Sequence, residues 1–99
     1  MYNYRNLRNL IFERDSYTCV LCEAAPSDLH HVLPRSRGGA DSPFNLVSVC
    51  RFHHELLHGS KIRGIELSTE EAKQAVIEYL DDLYASQREA ARWRREEVY

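Results

Sequence analysis

The order of apolar and polar residues predicts two helices and two strands in the first two thirds of this 99-residue chain. Residues 4–14 are predicted to form an amphipathic helix, because their apolar side chains recur at positions i, i+3 and i+4. These side chains are Leu7, Leu10 and Ile11. Residues 29–33 and 45–49 are predicted to be extended, and Pro34 ends the first of these segments. A second, short helix is predicted over residues 51–59.

A longer helix is predicted in the C-terminal third of the chain. Ser68 and Glu71 have the spacing of a capping box, so this helix is predicted to begin directly after Ser68. An apolar stripe then repeats at the spacing of one helix face. Its members are Ala72, Ala75, Val76, Tyr79, Leu80 and Leu83. The end of the segment is polar, and its Trp93 and Tyr99 are candidates for contacts with a partner or with a second copy of the chain.

Length and composition indicate one globular domain with a modest core. Hydrophobic residues make up 43% of the chain and charged residues 28%, as in ordinary globular proteins. We expect residues 1–65 to form the functional core and residues 66–99 to form a helix that packs on the same domain. No apolar run approaches a membrane span, and the N-terminus lacks the plan of a signal peptide. We therefore expect a cytoplasmic protein without a membrane partner.

The net charge of −2 gives no support for a strongly basic nucleic-acid-binding surface, but the charge is distributed unevenly. Residues 1–65 contain eight Lys or Arg and six Asp or Glu, whereas residues 66–99 contain five and nine. The acidic excess thus lies away from the cysteines and histidines, and is interpreted as a solvated helix face. A bound divalent cation would make the histidine region more positive.

Two matched pairs of metal-binding residue types predict a structural zinc site. Cys19 and Cys22 are separated by two residues on a β-prone segment, and Cys50 and His53 have the same spacing. Thiolate and imidazole are the ligands that tetrahedral zinc takes, and a closed set of four serves folding rather than catalysis. Reduced core cysteines beside a surface histidine are the alternative interpretation. An odd number of cysteines also argues against complete pairing as disulfides.

A finger-like allocation is a weaker alternative for the same metal. It would combine Cys19 and Cys22 with His54 and His58. The gap between the two halves is far longer than in a zinc finger, and this allocation leaves Cys50 and His53 without a role.

A second group of residues suggests hydrolytic chemistry. His54 and His58 lie at i and i+4 on the predicted helix and share a face, which suits a divalent cation. His30 and His31 are consecutive on a predicted strand, so their side chains face opposite ways. One of them could complete the metal site, and the other could act as a general base near neutral pH. Asn45 could hold that base in the correct orientation.

These linked motifs resemble those of the HNH endonuclease family, whose core is a ββα-metal (His-Me finger) fold. The resemblance covers about residues 5–58 and extends to the active sites of colicin-type nucleases. It implies an α+β fold in which a zinc knuckle and the ββα core follow an N-terminal helix. The long C-terminal helix, predicted from the apolar stripe, lies outside the resemblance. The matching motifs are Arg14-Asp15-x-Tyr17-x-Cys19-x-x-Cys22, His30-His31-Val-Leu-Pro34, Arg37-Gly38-Gly39-x-Asp41, Asn45-Leu46 and Cys50-x-x-His53-His54-x-x-x-His58.

The resemblance also implies roles for the histidines, the cysteines and Asn45. His31 would be the general base that activates water, and Asn45 would orient it. The catalytic divalent ion would be held by His30, His54 and His58. Structural zinc would be held by Cys19, Cys22, Cys50 and His53. Many family members have aspartate at the position of His30. Mg²⁺ prefers such oxygen ligands, whereas imidazole suits Mn²⁺ and Ni²⁺ better, so these two ions are expected beside Mg²⁺ as activating ions. Many also have cysteine in place of His53.

The expected function is that of a metal-dependent DNA endonuclease that hydrolyses phosphodiester bonds and nicks one strand per event. DNA is the expected partner, no organic cofactor is expected, and the chain is expected to be a monomer or weak dimer. Basic residues that are candidates for phosphate contacts are Arg35, Arg37, Arg51, Lys61 and Arg63. Two alternatives remain open: a zinc-stapled module that binds DNA or protein without cleavage, and a structural domain with an incidental histidine cluster.

Overall fold

The computed structural model describes residues 3–86 and 94, so the predictions for Trp93 and Tyr99 lie outside the described residues. The structure is a small α+β arrangement, which confirms the predicted class. Its elements in chain order are α1 (Tyr4–Arg14), β1 (Asp28–His31), β2 (Leu46–Val49), α2 (Arg51–Leu57) and α3 (Thr69–Leu83), with one 3₁₀ turn (Arg35–Arg37) between the strands. No helix in the described part of the chain is long and apolar enough to span a bilayer.

The two strands form an antiparallel pair that has a small apolar cluster on each face. The register pairs Asp28 with Val49 and His31 with Leu46. On one face, Leu29 and Leu46 pack against α1. A larger cluster contains side chains of β2, α2 and α3; its buried aliphatic members are Val47, Val49, Leu56, Leu57, Ala72, Val76 and Leu80. The consecutive order of β1, β2 and α2 is compatible with a ββα arrangement.

Helix α1 begins at an asparagine cap and packs by a narrow apolar seam. The side chain of Asn3 accepts hydrogen bonds from two backbone N–H groups of the first turn. Leu7 and Ile11 are buried against the sheet, whereas Leu10 is 48% exposed. The predicted apolar face of α1 is therefore only partly buried. A two-stranded sheet is too narrow to cover more than the i, i+4 seam of the helix.

Helix α3 has the predicted capping box and most of the predicted stripe. Ser68 accepts from the backbone of Glu71, and the Glu71 carboxylate accepts from the backbone of Ser68. The residues at the centre of the stripe are buried against α2, and Leu83 at its end is 43% exposed. The described helix ends at Leu83, so the fading of the apolar stripe after Tyr84 matches the point where the helix stops.

The segment between α1 and β1 forms turns, although residues 17–22 are β-prone in sequence. Ser16 and Tyr17 adopt left-handed conformations with φ of 59° and 55°. Consecutive left-handed residues reverse the chain directly after α1, at a conformational cost for non-glycine residues. This reversal carries Cys19 into the core, where it is fully buried.

A buried carboxylate joins three elements of the fold. Arg14 donates two hydrogen bonds to Asp15, at 2.8 and 3.0 Å. The backbone N–H of Ser48 in β2 donates a third at 2.9 Å, and the hydroxyl of Tyr79 in α3 donates a fourth. The Asp15 side chain is completely shielded from solvent. Burial and the adjacent carboxylate raise the pKa of Tyr79 to about 12, so this hydroxyl keeps its proton.

The guanidinium of Arg14 extends the network to the chain on both sides of Asn45. It donates to the backbone carbonyls of Pro43 and Leu46, both at 2.8 Å, and contacts the hydroxyl of Tyr84 at 3.2 Å. The buried charges of Arg14 and Asp15 are therefore paired, and their donors and acceptors have hydrogen-bond partners. Removal of one partner would leave the other charge without compensation.

We predict that Asp15→Ala destabilises the fold far more than Tyr79→Phe. The alanine variant leaves the Arg14 guanidinium buried and unpaired, which costs about 3–5 kcal/mol. The phenylalanine variant removes one hydrogen bond to a charged group, which costs about 1.5–3 kcal/mol. Urea unfolding of the two variants and the parent measures both values. Equal stability of the Asp15→Ala protein and the parent would contradict the role given to this network.

Candidate metal centres

The N-terminus of α2 brings three cysteines and one histidine together. Cys50 is the N-cap residue of α2, and its Sγ accepts a hydrogen bond from the backbone N–H of His53. The side chain of His53 is held in the same turn and points toward Cys50 and Cys19. The turn after α1 supplies Cys19 and Cys22. One ligand atom from each of the four residues lies within 4.8 Å of the others.

The distances within this Cys₃His cluster fit a tetrahedral ion. The Sγ atoms of Cys22 and Cys50 are 3.7 Å apart, and Nδ1 of His53 lies 3.3 Å from Cys50 and 4.0 Å from Cys19. A zinc ion with bonds of 2.3 Å to sulfur and 2.0–2.1 Å to nitrogen would separate neighbouring ligand atoms by about 3.6–3.8 Å. All three cysteines are free thiols. The cluster can therefore hold a structural metal ion such as zinc.

The electrostatics of the cluster favour a protonated thiol at Cys22. Burial, together with the neighbouring thiols of Cys19 and Cys50, raises the pKa of Cys22 to about 11. Burial also lowers the pKa of His53, so its imidazole stays neutral and keeps a lone pair for a metal. Zinc binding would displace protons from the thiols, because only the thiolate is a strong ligand.

A second group of three imidazoles lies on the other side of α2. His30 belongs to β1, and His54 and His58 lie one turn apart at the end of α2. The Nε2 atoms of His54 and His58 are 3.1 Å apart, and one nitrogen from each of the three rings lies within 4.8 Å of the others. Two imidazole nitrogens on one ion are separated by about 3.0 Å in octahedral and about 3.4 Å in tetrahedral geometry.

The chemistry of the three rings suits a cation. Burial, together with repulsion from the protonated forms of His54 and His58, lowers the pKa of His30 to about 3. Burial also lowers the pKa of His58. Neutral rings with free lone pairs are what a metal requires. In addition, Nδ1 of His30 is buried and has no hydrogen-bond partner among the described residues.

Asp28 contacts one imidazole of this second group. Its Oδ2 lies 3.0 Å from Nδ1 of His54 and is therefore placed to accept the Nδ1 proton. A histidine fixed in this way presents the lone pair of Nε2, which is the atom that faces His58. The sequence analysis did not single out Asp28. Its position two residues before His30, on the same face of a strand, was the available signal.

A cleft of about 720 Å³ opens above the three imidazoles. The ionisable side chains that line it are His30, His31, His54, His58, Arg35, Arg37 and Lys73. Lys73 comes from α3, so the C-terminal helix forms one wall of the cleft. This residue was not a candidate in the sequence analysis, because the sequence does not show which face of α3 turns toward the histidines.

The structure corrects the predicted contact between Asn45 and His31. The fully buried amide of Asn45 accepts from the backbone N–H of Leu33 and donates to the carbonyls of Leu33 and Ala40, at 2.7–3.0 Å. All donors of this amide are thus used by the backbone, and none reaches an imidazole. The ring of His31 instead contacts Asp41, with 2.7 Å between Nε2 and Oδ1.

The predicted phosphate-binding residues divide into two groups. Arg35 and Arg37 line the cleft, but Arg35 donates two hydrogen bonds to Asp41, both at 2.9 Å. The other three candidates do not line the cleft; they are Arg51, Lys61 and Arg63. All three are exposed, and Arg51 forms a loose pair with Glu55 on its own helix.

Comparisons with models of known protein families and with curated proteins find no match to this chain. The class of the protein is therefore defined by its geometry: a small α+β domain with a Cys₃His cluster that can hold a structural metal.

We predict that retention of zinc depends on His53 and not on the adjacent His54. His53→Ala removes one of four ligands, so zinc should dissociate readily and the metal-free protein should lose much of its stability. His54→Ala serves as the matched control, because His54 belongs to the other group, and this variant should keep one zinc per chain. Elemental analysis and thermal unfolding after dialysis measure both effects. Loss of zinc from His54→Ala with retention in His53→Ala would contradict the assignment.

We also predict that Asp28→Ala weakens binding of Mn²⁺ or Ni²⁺ at the three imidazoles by about 10- to 100-fold. Without the carboxylate, His54 is no longer held with Nε2 toward the other ligands. Calorimetric titration of zinc-loaded protein measures the affinity, with Asp82→Ala as the control for loss of an exposed aspartate on α3. Unchanged affinity in the Asp28 variant would show that the hydrogen bond does not orient the ligand.

Proposed function

We propose that this protein is a metal-dependent DNA endonuclease of the HNH type, which hydrolyses one phosphodiester bond per event. The observation that carries the proposal is the composition of the cleft. A group of three imidazoles suited to a divalent ion and a separate histidine, His31, line the same cavity. The Cys₃His cluster lies apart and is assigned to structural zinc.

The geometry of β1 gives His30 and His31 different roles. His30 and His31 are consecutive in β1, so one imidazole turns toward α2 and the other toward the loop that follows β1. His30 is 7% exposed and belongs to the imidazole group, whereas His31 is held by Asp41 at the edge of the cleft. His31 is therefore assigned the role of general base, and His30 the role of metal ligand.

The three imidazoles would hold Mg²⁺, Mn²⁺ or Ni²⁺, and the bound ion would supply positive charge for the phosphate oxygens in the transition state. The imidazole of His31 accepts a proton from water. The water oxygen forms a bond to phosphorus while the bond from phosphorus to the 3′-oxygen breaks, and the departing oxygen takes a proton from solvent. The products are a 5′-phosphate and a 3′-hydroxyl.

Two basic side chains in the cleft are assigned to the DNA backbone. Arg37 is exposed and lines the cleft, and Lys73 projects from α3 near His30 and His58. Both can neutralise phosphates on either side of the scissile bond. With so few cations, affinity from phosphate neutralisation should be modest and should fall with salt.

The test is nicking of supercoiled plasmid by zinc-loaded protein with added Mg²⁺, Mn²⁺ or Ni²⁺. The parent should convert the plasmid to the open circular form only when a divalent ion is present. His31→Ala should lower the rate by about 10²- to 10⁴-fold, the usual contribution of a general base. Asp82→Ala is the control, and zinc content and circular dichroism confirm that each variant is folded.

The outcomes separate the competing functions. Equal nicking by His31→Ala and the parent would remove His31 from the mechanism. Failure of the parent to nick with any of the three ions would overturn the proposal and favour a zinc-stapled binding module. A gel-shift measurement with the same DNA then shows whether such a module binds nucleic acid.

A further inference from the structure

We propose that Asp41 is the positioning residue of His31: it accepts the proton on Nε2 and thereby leaves Nδ1 as the atom that receives a proton from water. The role of His31 itself rests on the proposed function. The assignment of Asp41 rests on the loop between β1 and β2, which places the Asp41 carboxylate against Nε2 of His31.

The geometry of the pair identifies the donor. Oδ1 of Asp41 lies 2.7 Å from Nε2 of His31, and the side chains are only 29% and 15% exposed. Partial burial raises the pKa of Asp41, but hydrogen bonds from Arg35 and His31 outweigh it, and the net pKa lies below the ordinary value. An ionised carboxylate is an acceptor only, so Nε2 carries the hydrogen. Nδ1 then has a free lone pair.

Arg35 locks the carboxylate in this position. Its Nε and Nη2 atoms donate to Oδ1 and Oδ2 of Asp41, both at 2.9 Å, in the forked geometry of a bidentate pair. The guanidinium carbon also lies 5.3 Å from the centre of the Tyr4 ring. Arg35 is thus committed to Asp41 on the side that faces the carboxylate, and its effect on catalysis should pass through His31.

The loop that carries Asp41 is built for this placement. Gly39 packs so closely on the segment after β1 that a Cβ there would lie 1.8 Å from the carbonyl oxygen of Leu33, and Gly38 adopts φ of 87°. The Asn45 amide then ties Ala40 to Leu33. Because Asp41 follows Ala40 directly, this clamp fixes where its carboxylate meets the imidazole.

The direct test is the imidazole N–H proton of His31 in zinc-loaded protein without added catalytic metal. A proton held between Nε2 and a carboxylate should give a downfield resonance that exchanges slowly with water. We expect this resonance in the parent and in Asp82→Ala, and its absence in His31→Gln and Asp41→Ala. Asp41→Asn, which keeps an acceptor oxygen of the same size, should retain it in weaker form. Persistence of the resonance in Asp41→Ala would overturn the inference.

The kinetic test uses a double-mutant cycle on plasmid nicking. Asp41→Ala should lower kcat by about 10- to 100-fold with little change in KM, and Asp41→Asn should recover part of that loss. In a His31→Gln background, Asp41→Ala should have no further effect, because Asp41 acts only through His31. Additive losses would assign Asp41 to the fold or to DNA contact and would overturn the inference. Failure of the parent to nick overturns the proposed function instead, and the proton resonance still decides the His31–Asp41 bond.

Discussion

The buried carboxylate of Asp15 is the interaction on which the rest of the structure depends. A two-stranded sheet of four residues a side cannot bury enough apolar surface to fix three helices around it. Asp15 accepts from α1, β2 and α3 at once, and Arg14 continues to the backbone of Pro43 and Leu46. The wall of the cleft that α3 supplies is therefore held in place by electrostatics as well as by packing.

Helix α2 separates the two groups of metal ligands. Successive residues of an α-helix are about 100° apart around the axis, so His53 and His54 project in different directions. His53 points toward the cysteines, and His54 points toward His30 and Asp28. A structural ion at the first group would fix the start of the helix. The same ion would thereby set the angle at which the second group faces the cleft.

Sequence reasoning reached the features that depend on neighbours in the chain. Periodicity predicted the helices, and ligand spacing predicted the two groups that the structure brings together. The pairs formed by Asp15, Asp28 and Asp41 with distant side chains were not predicted. Their partners depend on long-range folding, and a single aspartate in a sequence looks like any solvated surface aspartate. The exposure of Leu10 was not predicted for a related reason, because the width of the sheet that α1 contacts is a tertiary property.

The hydrogen bonds of Asn45 show how a residue can influence the surroundings of a histidine that it does not contact. Its amide has one acceptor and two hydrogens, and the backbone of Leu33 and Ala40 uses all three. An amide committed in this way cannot also select a tautomer of His31. It can, however, hold Leu33, which follows β1, against Ala40, which precedes Asp41, and it thereby constrains the backbone between His31 and Asp41. Buried polar groups of this kind act by fixing backbone geometry, and a charged group nearer the surface then completes the electrostatic task.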